Sequence, residues 1–133
     1  MFDISTLALK TTSTEVQFRH PVTNELLWAD ADKTEAVSVN LYGTASKEYR
    51  DARSAMQNRQ LKRGKQKPTA EVLNEEGTTL LVATIDHFNN FAVDGAVPDS
   101  EADYRKLLND ARFSWVREQI DEALADNERF LAQ

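Results

Sequence analysis

Two clusters of carboxylates are the first residues in this chain that could carry chemistry. Asp94, Asp99, Glu101 and Asp103 crowd into ten positions around Gly95 and Pro98, and Asp30, Asp32 and Glu35 share the stretch "DADKTE". Carboxylates this dense can hold a hard cation or divide acid and base roles between them. His20 and His87 are the side chains that titrate near neutral pH without any perturbation. The spacing argues against each use. A calcium loop needs three oxygen-bearing positions before its glycine and a glutamate after it, and Gly95 has only Asp94 correctly placed. Pro98 cannot continue a helix, Asp99 or Ser100 is a strong cap, and Tyr104, Leu107 and Leu108 begin helical spacing. The cluster therefore reads as a helix entrance, where negative side chains meet the positive end of the helix dipole. "DADKTE" reads as a loop between strands. His20 precedes Pro21 in a turn, and His87 is expected beside the apolar face of a helix. Phosphate-binding, dinucleotide-binding, nucleophile-elbow and zinc-protease motifs are all missing, and four glycines leave little for a phosphate cradle. With no cysteine, thiol and thiolate-metal chemistry are excluded. No catalytic residue, metal ligand or cofactor is expected.

The elements that would position these residues fit one domain over residues 1–133, a length that supports a modest core. The first residues lack the basic and apolar regions of a signal peptide, and no run of about 18 apolar residues occurs to span a bilayer. A soluble intracellular protein is expected. The formal charge of -6 hides an asymmetry: residues 47–67 hold eight basic and two acidic side chains, leaving eight basic and twenty acidic elsewhere. Such a basic segment can meet nucleic acid, an acidic partner, or the acidic part of its own fold or of another copy, or simply form a solvated helix face running into a loop. Tyr49 is its lone aromatic, so stacking on bases is poorly served and a nucleic-acid partner is disfavoured.

The apolar pattern predicts an α+β fold: a small N-terminal antiparallel sheet of about three strands followed by three to four helices, mostly helical overall. Strands are expected within residues 14–42. In "TEVQFRHPVTNELLWA", Val16 and Phe18 alternate with polar residues before a turn, and Leu26 to Trp28 resumes an apolar run. Val37, Val39 and Leu41 then share one face of a third strand. A basic helix and loop follow over 46–68, with Tyr49, Ala52 and Met56 as a thin apolar stripe and Arg63 to Pro68 as a break. An acidic, helical part fills 69–133. Its first helix runs to about Asn89, with Leu81, Ile85 and Phe88 on one face. Its last is long and amphipathic, with Phe113, Val116, Ile120, Ala123, Asn127 and Phe130 stepping by three and four.

The segment "DHFNNFAVDGAVPDSEADYRKLLNDARFSWVREQIDEALADNERFL" resembles the tail assembly chaperones of long-tailed bacteriophages (siphovirus or prophage type). The matching residues are Phe88, Asp94, Gly95, Pro98, Leu107, Leu108, Ile120, Asn127 and Phe130. "FRHPVTNELLW" and "VSVNLYG" running into "SKEYRDARSAM" extend the likeness over most of the chain. The resemblance implies a non-enzymatic protein of the host bacterial cytoplasm, absent from the mature virion. It would keep the tape measure protein soluble while the tail tube assembles. A longer form made by ribosomal frameshifting would recruit the tail tube protein, and this chain would be the short form. A partner helix is expected in a groove lined by Phe88, Phe91, Phe113, Val116, Ile120, Leu124 and Phe130. Covering a long partner needs many copies, so a homo-oligomer is expected. Arg59, Lys62, Arg63, Lys65 and Lys67 would meet the acidic half of a neighbouring copy. The alternatives are a small accessory phage protein that binds nucleic acid or protein through residues 47–67, and a minor structural protein of the virion.

Overall fold

The computed structural model describes residues 1–132 and has the α+β architecture that the apolar pattern predicts. Among the described residues the order is β1 (Ser13–Gln17), β2 (Ser38–Tyr42), α1 (Lys47–Arg63), α2 (Ala70–Thr84), β3 (Ile85–Asn89), α3 (Glu101–Leu108) and α4 (Ser114–Ala125). Short 3-10 helices occur at Ile4–Leu7, Ala111–Phe113 and Asn127–Phe130. The three strands form one antiparallel sheet in the order β1-β2-β3. Val16 lies opposite Val39 and Thr14 opposite Leu41, so alternation along each strand gathers its apolar residues on one face. No helix among the described residues is long and apolar enough to cross a membrane.

Of the three expected strands, the first and the third form as β1 and β2, but the second, Leu26 to Trp28, does not. Leu26 to Trp28 is too short for a ladder and makes only isolated bridges, Arg19 to Leu26 and Trp28 to Ala36. Leu27 inserts between two neighbours: its amide donates to the Phe18 carbonyl (3.0 Å) and its own carbonyl accepts from Val37 (3.1 Å). The sheet's other strand is instead Ile85–Asn89, which the helical reading had absorbed. Its register explains the misreading. Asn40 pairs with His87 and Leu41 with Ile85, leaving Asp86 as an extra residue in a β-bulge. The bulge turns Ile85 and Phe88 to the same face three residues apart, which imitates a helix turn.

The final helix is also shorter than predicted. Its geometry ends at Ala125 because the Asp126 carboxylate accepts the Glu128 amide (3.1 Å) and starts a separate 3-10 turn. That turn drives Phe130 into the core, 2% exposed, against the backbone of Gly43. Asn127, which interrupted the apolar spacing, stays exposed at the start of the turn and takes no core position. The chain ends are tied beside it, since Leu9 bridges Leu131 and the Ala132 amide donates to the Ala8 carbonyl (2.9 Å).

The core unites Phe18, Val39, Leu41, Leu107, Leu108, Val116, Ile120 and Phe130. Phe18 is fully buried and touches Phe88, Phe91 and Trp115, with ring centroids 6.3, 5.4 and 6.2 Å away. In contrast α1 buries none of its residues and contacts mainly α2, as its polar composition predicts.

A methyl group on Gly43 would sit 2.7 Å from Phe130 Cδ1 and meet a ring with nowhere to move. Gly43→Ala is expected to cost about 1–3 kcal/mol and Phe130→Ala about 3–5 kcal/mol in urea unfolding. Combined, the two should cost less than their sum, because removing the ring relieves the clash.

Candidate functional site

The acidic stretch from Asp94 resolves into a turn and a cap. Asp94 and Gly95 both take positive φ (50° and 85°), and Val93 and Ala96 exchange backbone hydrogen bonds of 2.8 and 3.0 Å across them. The Asp103 amide donates to Ser100 Oγ (3.2 Å), while the Asp99 amide donates to Asp103 Oδ2 (3.3 Å). This reciprocal cap holds the Asp103 carboxyl below its ordinary pKa, mostly through the Asp99 amide. Arg112 reaches Asp94 (3.3 Å) and Asp110 (2.9 Å). It keeps Asp110 below the usual carboxylate range, and its own pKa is raised in turn, chiefly by Asp110. A shallow pocket of about 260 Å³ opens here between Val97, Leu107 and Lys106. Its carboxylates are thus engaged as cap and ion-pair partners.

The second cluster is a closed loop. Asp30 accepts from the amides of Thr34 and Glu35 (both 2.9 Å) and from the Thr34 hydroxyl, which lowers its pKa. His20 fastens its own turn: Nδ1 accepts the amides of Val22 (3.1 Å) and Thr23 (3.2 Å). His87 stands on β3 with its side chain half exposed and Nδ1 3.2 Å from Asp86 Oδ2. Asp86 also accepts from Ser13 Oγ (2.9 Å), and burial followed by Asp86 raises the Tyr42 hydroxyl.

The predicted apolar groove is occupied by the protein itself. Phe88, Val116, Ile120 and Phe130 are buried core residues, with Val116 and Ile120 fully so. Phe91, Phe113 and Leu124 are partly buried and pack against that core. The stripe therefore cannot serve as an open groove along its length, because helix periodicity marks a buried face without saying what buries it.

The basic segment is on the surface. Arg63 is its partly buried exception: Nη1 lies 2.7 Å from Glu76 Oε1, and Gln60 reaches the same carboxylate at 3.4 Å. That contact joins α1 to α2 and holds Glu76 below its ordinary pKa, Arg63 contributing first. Lys62, Lys65 and Lys67 are exposed and form no ion pair among the described residues.

A second surface escaped the sequence reading. The amide of Arg19 donates to Gln119 Oε1, and Gln119 Nε2 donates back to the Arg19 carbonyl, both at 2.9 Å. This two-bond clamp fixes the turn after β1 to α4. Between them lies an open cleft of about 390 Å³, lined by Gln17, Arg19, Trp115, Glu118, Glu122 and Asp126 among others. Its one sequence signal is the spacing of Glu118, Glu122 and Asp126, which puts three carboxylates along one helical edge.

Ser100→Ala should cost about 1 kcal/mol, the usual worth of an N-cap, measured by chemical denaturation. Glu76 carries a lowered pKa, so its contribution is present above the ordinary glutamate range and is lost as pH falls through the folded value. Glu76→Gln should lower the melting temperature at neutral pH, and its difference from the parent should close in acid.

In comparisons with protein-family models, curated proteins and solved structures, no match to this chain was found.

Proposed function

We propose that this chain is a non-enzymatic assembly factor of the phage tail chaperone type, acting on the tape measure protein in the host cytoplasm. One observation supports the reading most. The residues that carry the resemblance, the exposed Asn127 excepted, coincide with the points that define the C-terminal architecture. Phe88, Leu107, Leu108, Ile120 and Phe130 are core, Pro98 is buried, and Asp94 and Gly95 make the positive-φ turn. A likeness carried by such positions concerns the whole fold rather than a short surface motif.

The burial of the stripe changes how a partner would be held. In this reading the tape measure protein meets the margin of the aromatic cluster, where Phe91, Phe113 and Leu124 remain partly exposed. Phe88, Val116, Ile120 and Phe130 support that margin from beneath. The tail tube protein would be engaged through the longer frameshifted form, and neither form would remain in the virion.

Expressing the gene in its native DNA context should yield a minor, longer product sharing this N-terminus, detected by intact-mass spectrometry. Co-expression should increase the soluble yield of the tape measure protein encoded downstream. Phe113→Ser should reduce that gain while leaving the chaperone folded by circular dichroism. Tape measure solubility that does not respond to the chaperone would end the reading. A steeply salt-dependent affinity for DNA or RNA at physiological salt would favour an accessory nucleic-acid-binding protein instead.

A further inference from the structure

The geometry points to a head-to-tail contact between copies of this chain, in which the basic end of the α1–α2 pair enters the acidic cleft beside α4. The two surfaces are opposite in charge and in shape. On one side, the connection from Gly64 to Pro68 is exposed throughout, and Gly64 has no neighbouring atom within 4 Å of where a Cβ would stand. Lys62, Lys65 and Lys67 surround this projecting end without ion-pair partners, and the start of α2 adds the positive end of a helix dipole.

On the other side the cleft is concave, and Glu118 and Glu122 line it without ion pairs among the described residues. Asp126 continues that edge, and the last turn of α4 has no basic residue to offset the negative end of its dipole. Arg19 and Arg129 also line the cleft, but each is already engaged: Arg19 Nη1 donates to the Asn24 carbonyl (3.1 Å), and Arg129 lies 3.4 Å from Asp126. Half-buried Trp115 lines the same cleft and adds an aromatic surface beside the carboxylates. Leu61 and Leu73, 78% and 53% exposed near the projecting end, supply apolar area that charge alone would lack.

Because the two surfaces differ, each bound copy still presents one free surface of each kind. The contact is heterologous, and it generates chains or rings instead of stopping at a two-fold dimer. This contact does not rest on the tape measure reading and can fail or hold separately from it.

The test is sedimentation velocity of the full chain across protein concentration and sodium chloride. The average mass should rise with concentration at low salt and fall as salt screens the contact. Reversing the basic end (Lys62→Glu, Lys65→Glu, Lys67→Glu) should weaken association at least about tenfold, as should reversing the cleft (Glu118→Lys, Glu122→Lys). Mixing the two reversed proteins should restore assembly, since each then offers what the other needs. Mass that is indifferent to salt and to both reversals overturns the proposal. So does loss of assembly that mixing fails to restore, which would mean that the two surfaces do not meet. A monomer whose basic end instead binds a DNA duplex also overturns it.

Discussion

The interior face of a three-stranded sheet has to be covered, and most of this structure follows from how that is done. A sheet this small has little stability alone, so its apolar face must find a second layer. Phe18, just beyond β1, organises the cover. Its ring is fully buried and meets Phe88 from the sheet, Phe91 from the following loop and Trp115 from α4. Tyr104 of α3 closes on Phe88 at 5.5 Å, so both C-terminal helices are anchored to one aromatic group. The exchange of hydrogen bonds between Gln119 and Arg19 then fixes where α4 crosses the turn after β1.

The same constraint explains what the sequence could and could not reveal. Val16, Val39 and Leu41 alternate with polar neighbours, and the regular pleat makes their shared face legible. Ser100 with Asp103 was readable as a helix entrance for the same reason, because capping is local chemistry. Ile85 to Asn89 was not readable, since a bulge at Asp86 gives a strand the spacing of a helix. The end of α4 was missed because Asp126 stops the helix while Phe130 keeps its apolar phase. Gln119, whose side chain serves as the clamp, carries no local signal at all. Its role depends on Arg19, one hundred residues away.

The basic segment was legible in composition, and its structure adds a division of labour. Arg63 is used internally to join α1 to α2 through Glu76. Its neighbours Lys62, Lys65 and Lys67 are left without such partners. A segment that contributes no residue to the core and carries unpaired like charges costs the fold some self-repulsion.

This bears on what the resemblance to tail assembly chaperones can carry. Its matching residues lie mainly in the core and in the turns that frame it, positions constrained by packing whatever the surface does. Agreement there speaks to how the chain folds. The specificity of a binding protein resides in exposed groups, and here the apolar face expected to recognise a partner is largely consumed by folding. What the surface offers is a margin of half-buried aromatic residues, a basic projecting end and an acidic cleft. Apolar margins contribute most of the energy of a contact, while charges steer the encounter and reject wrong partners. A protein built this way would grip through the first and be ordered through the second, so altering the charges should change assembly without dismantling the core.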